Sequence, residues 1–525
     1  MNVVDPGASG MSRRQVIQRG VLAGAVLLGG SSLLEACGPS SSSNGKLSSG
    51  TPRKGGMLIH GIQGGSSGDS LDPHLVLSAA DYARFTGLYE TLWTASAKYT
   101  IDEWLIDSAE PNATLDEWTV RLKQGIEFHH GKTVTAEDVL FSIQRLLDPK
   151  TGALYAGLLS TVDLRNSKKV DDRTIRFKLT TPLVTFPETM SLAAPIIPTD
   201  FNVAKPVGTG PFKLQSFTPG RQSVMVRNDN YWRNNRPYAD SITHIDFTDE
   251  TARINALQGG QINIADFVSF PLIRSLSKDS KLSINRSETA SFIPLNMRVD
   301  QSPYSDVRVR EALKILIDRK AMVDGAYLGE GRVANDLYAP VDPLFDHSLP
   351  QREQDLDKAK SLLKAAGHEN LQIELTTSDL GSGVLSSTEL YAEQAKAAGI
   401  DVKLNKVDTG TFYGDNYGDW GFSPNLAPPY NYLVTAQQSD GPTSTSNLSH
   451  FKDPEFSSLY AQAVAEPDDA KRKDIAARMQ TIQYEKGGTI IWGYQNSVDF
   501  TRGVGGMEPD VSGFSAYRSA DLWVE

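Results

Sequence analysis

The chain has 525 residues, a formal net charge of −11 and 39% hydrophobic residues. That length suggests two or three domains, and the acidic balance argues against nucleic acid as a partner. With one cysteine, Cys37, no intramolecular disulfide can form, so stability has to come from core burial, which a chain this long supplies.

The first element is a leader. Ser12-Arg13-Arg14-Gln15-Val16-Ile17-Gln18 and Arg19 precede a small and apolar run over residues 20–34. A charged start, an apolar middle and small residues at the exit make an export signal over 1–36, and the run is shorter than the roughly 20 residues of a lasting membrane span. Leu34-Glu35-Ala36-Cys37 resembles a bacterial lipobox, which implies a lipid on Cys37 and a mature chain that starts there. The paired arginines resemble a twin-arginine signal, with the general secretory route as the alternative. Residues 37–53 are rich in Ser, Gly and Pro and read as a flexible tether.

A short buried strand is predicted over 55–62, followed by Gly64-Gly65-Ser66-Ser67-Gly68. This is a literal G-x-S-x-G, but a hydrolase needs that serine on a turn leading directly into a helix, and Pro73 argues for a plain turn. Ser275-Leu276-Ser277-Lys278 is a literal S-x-x-K that lacks the companion motifs of a serine acyl enzyme. An alternating strand over 116–128 ends at His129-His130-Gly131, and adjacent histidines lack a metal-chelating spacing. Thr135 and Asp138 read as a capping box opening a helix with Val139, Leu140, Ile143, Leu146 and Leu147 on one face. A strand over 174–179 follows, and Pro182, Pro187, Pro195, Pro198 and Pro206 then predict a long loop-rich return. Gly208-Thr209-Gly210 lacks the third glycine of a dinucleotide loop and is followed by Pro211. Further strands are predicted around Val224 and Val226 and around Ile245 and Phe247, then a helix ending near Leu257 with glycine past its cap.

Two helices follow, one with Val309, Ala312, Leu313 and Leu316 on its apolar face, the other with Leu356, Ala359, Leu362, Leu363 and Ala366. Alternation at Leu371, Ile373 and Leu375, a helical stretch to Ala398-Gly399, and alternation at Ile400, Val402 and Leu404 make a βαβ unit, hence α/β with parallel strands. Residues 414–432 break the pattern: Tyr417, Trp420, Phe422, Tyr430 and Tyr432 are interleaved with Gly and Pro. Loop packing and a ligand-facing role are both open for these rings. An amphipathic helix over 468–484 and a buried strand over 489–492 complete the chain.

Taken together, several stretches resemble the large solute-binding lipoproteins of bacterial ABC importers, family 5, which include dipeptide- and oligopeptide-binding proteins. They are Ser70-Leu71-Asp72-Pro73-His74, Leu88-Tyr89-Glu90-Thr91-Leu92, the 125–131 stretch with Thr135-Ala136-Glu137-Asp138-Val139, residues 207–212, Asn230-Tyr231-Trp232, Val309-Arg310-Glu311-Ala312-Leu313 and Ile317-Asp318-Arg319. His130 stands where the family has aspartate.

The resemblance implies a two-lobed periplasmic-binding-protein fold closing like jaws on a solute, with an extra subdomain in the first lobe. The implied boundaries are lobe I at 54–88, 205–296 and 493–525, the subdomain at 89–204, and lobe II at 297–492. It further implies a non-enzymatic monomer that takes a small, peptide-like solute to ABC permease subunits. No catalytic residue, metal or cofactor is expected, and the protein is expected at the cell membrane, lipid-anchored on the periplasmic or cell-surface side. A non-peptide solute such as an oligosaccharide or opine, a peptide-sensing or chaperone role, and a secreted hydrolase using Ser66 or Ser275 are the alternatives.

In peptide-binding relatives a lobe II loop carries a tryptophan-glycine element and then an aspartate for the ligand's amino terminus. Gly418-Asp419-Trp420-Gly421-Phe422-Ser423-Pro424-Asn425 resembles it, with Asn425 in place of the aspartate and Asp415 and Asp419 as nearby substitutes. The implied ligand contacts are Trp420, Phe422, Asn425 and Tyr430 from lobe II, with Ser66 and Ser67 from lobe I.

Overall fold

The computed structural model describes residues 50–525 except Leu77, Thr443 and Thr445. The export signal, Cys37 and most of the tether lie outside the described residues. Among the described residues no helix is long and apolar enough to cross a membrane.

The architecture is α/β and two-lobed. One body is built on an eight-stranded mixed sheet in the order Ser283–Phe292, Gly493–Thr501, Ile264–Ala265, Met57–Gln63, Ser241–Phe247, Gln222–Arg227, Phe212–Thr218, with Gly331–Val333 added beside Gly493–Thr501. Met57–Gln63 runs parallel to Ser241–Phe247, pairing Met57 with Ser241, so residues nearly two hundred positions apart share the centre of the sheet. Both faces of that strand are covered. Leu58 and Ile62 are fully buried on one face and Ile59 packs against a second core on the other, which is why it reads as an apolar run rather than as clean alternation.

The chain leaves this sheet at Phe292, enters a three-stranded sheet at Leu295–Met297, and returns between Thr489–Ile490 and Gly493–Thr501. Beside the three-stranded sheet lies the βαβ unit: Gln372–Thr377 and Asp401–Lys406 pair in parallel, joined by the helix Val384–Ala397. Asp306 caps the helix Val307–Ile315, and its Val309, Ala312 and Leu313 are fully buried, as their spacing predicts.

Inserted after the first helix of the large-sheet body is a four-stranded antiparallel sheet, Ile106–Pro111, Glu117–Leu122, Thr174–Lys178 and Lys168–Lys169, packed on the helix Ala136–Leu147. The Thr135 main-chain N–H donates to Asp138 at 3.0 Å, so the capping box forms. The return predicted as loop contains a helix, Phe186–Ala193, with Pro187 in its first turn, where a missing N–H costs nothing. Its Phe186 and Met190 share one hydrophobic core with Tyr432, Phe456 and Met479, which sit on helices at the far end of the chain. The Val184 N–H donates to Val464 O at 2.7 Å across the same junction.

The glycines of Gly208-Thr209-Gly210 are explained by close packing. A Cβ at Gly208 would stand 2.0 Å from Leu88 O, and one at Gly210 would stand 2.5 Å from Gly87 O. The histidine pair is structural as well. The Gly208 N–H donates to His129 Nδ1 at 3.3 Å, so Nε2 carries the proton and donates to Gly210 O at 3.0 Å. Burial lowers the His129 pKa to about 4, which keeps this neutral tautomer. His130 instead faces Asp200, 3.5 Å away.

Candidate functional site

Where the pieces meet there is a cavity of about 220 Å³. The large-sheet body lines it with Tyr82, Phe85 and Tyr517, the inserted subdomain with Tyr99, Trp104 and Glu188, and the small-sheet body with Tyr430 and Asn431. Its walls are mostly flat rings with a polar edge, which present apolar area and hydrogen-bonding groups together.

Two of the sequence stretches singled out above meet at this wall. Glu90 accepts hydrogen bonds from Trp104 Nε1 at 2.7 Å, Tyr231 Oη at 2.7 Å and Trp232 Nε1 at 3.0 Å. Burial raises the Glu90 pKa against the pull of these donors. Another stretch ties the lobe to the subdomain. Asp72 takes a bidentate fork from Arg145, one arm at 2.9 Å, and the same guanidinium lies 2.7 Å from His74 Nδ1. Burial is the main cause that lowers the His74 pKa to about 4, with the Arg145 charge second.

The cavity floor rests on a buried polar network. Tyr517 donates its hydroxyl to Asp266 Oδ2 at 2.6 Å, while Asp266 Oδ1 holds Arg253 at 3.1 Å and lies 3.3 Å from His60. Burial alone pushes the Asp266 carboxyl up, but His60, Arg253 and Tyr517 outweigh it and hold the carboxyl at about 2. Neighbouring Asp499 goes the other way: burial and the Asp266 charge push it up to about 7.

Of the residues singled out from sequence, Tyr430 faces the cavity. Its ring also borders two neighbouring cavities of about 220 and 210 Å³, and its hydroxyl lies 3.4 Å from that of Tyr155 in the subdomain. Asn425 borders the second neighbour, where its side chain meets Tyr417 Oη at 3.2 Å and Tyr413 Oη at 3.5 Å.

The others do not line any of these spaces. Phe422 is 1% exposed and packs between Tyr304 and Tyr391, so it is a core ring of the small-sheet body. Trp420 donates to Phe412 O at 3.0 Å and stacks on the Phe412 ring. Asp419 pairs with Arg298 at 3.1 Å, and Asp415 is exposed. Ser66 and Ser67 are exposed on a turn in which Asp69 Oδ1 accepts from the Ser66 N–H at 2.9 Å and from its hydroxyl at 3.2 Å. Ser275 donates to Leu272 O at 2.8 Å on an exposed helix face. Among the described residues neither Ser66 nor Ser275 is hydrogen-bonded to a histidine. Among the described residues no group of three or more His, Cys, Asp or Glu converges as a metal site would require.

Sequence reasoning missed Glu188 and Tyr99. Pro187 followed by Glu188 is a helix-start signal that the surrounding prolines obscured.

The chain is similar to Heme-binding protein A of Haemophilus influenzae, at 26% identity over 70% of this chain and 74% of that protein. It is similar to the periplasmic oligopeptide-binding protein OppA of Salmonella typhimurium, at 25% identity over 81% of this chain and 85% of that protein. The fold matches the periplasmic binding protein AgaA of A. tumefacien R10, solved with agropinic acid, with a TM-score of 0.77 at 24% identity over 90% of this chain and 99% of that one. Residues 100–444, well over half of the sequence, match the model of the bacterial extracellular solute-binding proteins, family 5 Middle, and the chain belongs to that family of solute-binding receptors.

Proposed function

We propose that this receptor captures a peptide-like solute between its lobes and delivers it to an ABC-type permease, held at the outer face of the membrane by a lipid on Cys37. The observation that carries the solute class is the shape of the space around Tyr430. Three cavities of 220, 220 and 210 Å³ meet at one aromatic ring. A string of ring-lined compartments suits a short chain with separate side groups better than a compact ion. Tyr430 and Asn425 are the ligand contacts kept from the sequence reading. Trp420, Phe422, Ser66 and Ser67 act through the fold in this reading. The jaws are lobe I at 54–88, 205–296 and 493–525 with the subdomain at 89–204, closing on lobe II at 297–492, and the receptor works as a monomer.

The decisive experiment is native mass spectrometry of the protein purified from its own membranes. A co-purifying set of short peptides is expected. A single sugar or opine in their place would replace the peptide reading and retain the receptor. Cys37→Ala is expected to move the protein from the membrane fraction to the soluble one, and a variant that stays membrane-bound would refute the lipid anchor.

A further inference from the structure

The charges around the central cavity are unevenly satisfied. Arg233 forks onto Asp521 at 2.9 and 3.1 Å, and Arg236 adds a 2.5 Å bond to the same carboxylate from outside the cavity. Arg518 bonds Asp510 at 2.5 Å and Ala95 O at 3.0 Å. Each cation in the wall therefore has a carboxylate of its own. Two wall carboxyls have no cation within ion-pair distance among the described residues. Glu90 is filled by a tyrosine hydroxyl and two indole N–H groups. Glu188 is different: its Oε2 is buried and accepts no hydrogen bond among the described residues. Arg472, whose charge reaches Glu188, is itself spent on Asp469 and on Glu466 O at 2.7 Å.

A buried carboxylate oxygen without a donor costs free energy unless the solute supplies one. The rings that share the cavity, among them Tyr82, Tyr99, Tyr430 and Phe514, also favour a cation over their faces. We infer that Glu188 is a specificity-determining residue, which selects a solute carrying an ammonium or guanidinium group and seats that group against its free carboxylate oxygen. The inference rests on the solute-binding reading above and adds the charge class of the solute. The setting of the group supports it. Burial, with the Asp342 charge adding, outweighs the pull of the residue's own main-chain N–H and of the Arg472 charge and pushes the Glu188 carboxyl up to about 7, so an arriving cation has a large effect on its ionisation.

The test is affinity selection with two probe pools. One holds tripeptides free of Lys, Arg and His, each with a free and with an acetylated amino terminus. The other holds agmatine, spermidine and glucosamine with uncharged counterparts. Wild type is expected to retain cationic members on the order of 10- to 100-fold better than uncharged ones, the scale of a hydrogen bond to a charged group. Glu188→Gln is expected to lose that preference, and Glu188→Asp to keep part of it. Thermal melts check that both variants fold, and Glu188→Asp carries the test if the amide variant does not.

Retention of cationic tripeptides supports both readings. Retention of cationic non-peptides alone supports the role of Glu188 and overturns the peptide. Equal retention of free and acetylated tripeptides overturns the role of Glu188 and leaves the peptide standing. An undiminished preference in Glu188→Gln, or retention of no cationic probe, also overturns it.

Discussion

Asp266 and Glu188 are both acids removed from bulk water at the same cavity, and they are treated in opposite ways. Asp266 sits beneath the floor with Arg253, His60 and Tyr517 around it and is held ionised. Glu188 sits in the wall with one carboxyl oxygen, Oε2, that receives no hydrogen bond among the described residues, and its carboxyl is pushed up to about 7. A buried charge whose partners are all supplied by the chain serves the fold. A buried acid left short of partners is destabilising on its own and gains from whatever completes it.

The comparison breaks first at Asp266. Asp266→Asn leaves the buried Arg253 guanidinium with only the part-exposed Glu250, 3.4 Å away, as counter-ion, and a loss of about 3 kcal/mol in unfolding free energy, the low end for a broken buried pair, is expected. Urea denaturation measures it, and a loss below about 1 kcal/mol would mean that the network is replaceable. Glu188→Gln is expected to do the reverse to the empty protein. A carboxyl whose folded pKa lies near 7, against 4.5 for the free group, holds a proton that the unfolded chain releases. Stability from this group is therefore present below pH 4.5 and lost as pH rises towards 7. Asp342, Arg472 and Tyr99 are the charged and titratable groups that bear on it. Glu188→Gln should thus melt above wild type at pH 8 and level with it at pH 4. Asp499, also near 7, keeps its own share of the slope in both proteins. A variant whose melting difference from wild type is the same at pH 4 and pH 8 would show that Glu188 is solvated.

How much of this was legible follows the range of the interactions. The βαβ unit could be read because its periodicity, its glycine stop and its second strand all fall between residues 371 and 406, and its strands pair in parallel as expected, with Gln372 opposite Asp401. The capping box at Thr135 and Asp138 could be read for the same reason. The large sheet was legible only strand by strand, since Met57 pairs with Ser241 and periodicity carries no information about partners. The site was the least legible part. Phe422 and Tyr430 look alike in an aromatic loop, yet one packs between Tyr304 and Tyr391 and the other borders three cavities. Glu188 was hidden because its helix lies among five prolines, and because the lack of a partner is a property of the folded surroundings and not of the sequence.

Trp420 sharpens the contrast between a ring that builds the lobe and a ring that borders the cavities. It is half-buried, packs on Phe412 and spends its indole N–H on Phe412 O at 3.0 Å. Trp420→Ala is expected to cost about 1–3 kcal/mol of stability in the empty protein, below the cost of a fully buried tryptophan. Affinity should change little once the comparison is made between folded fractions. The opposite result, a weakened ligand with unchanged melting, would move Trp420 into the site.

The smallest expected effect tests the contact of Tyr430 with the inserted subdomain. Its hydroxyl stands 3.4 Å from that of Tyr155, a long separation for two hydroxyl groups, whose usual distance is about 2.7–2.8 Å. The coupling should lie at the low end of the range for neutral hydrogen bonds, about 0.5 kcal/mol. Replacing both partners leaves no orphaned polar group, so Tyr155→Phe with Tyr430→Phe should be milder than the sum of the single changes. The double-mutant cycle, read by urea unfolding without ligand, checks this. A coupling near zero would reduce the pair to proximity and leave the shared hydrophobic core, with Phe186 and Met190 against Tyr432 and Phe456, to hold the subdomain to the helices that carry those rings. A coupling above about 1.5 kcal/mol would make the hydroxyl pair a latch between the subdomain and the loop that carries Tyr430.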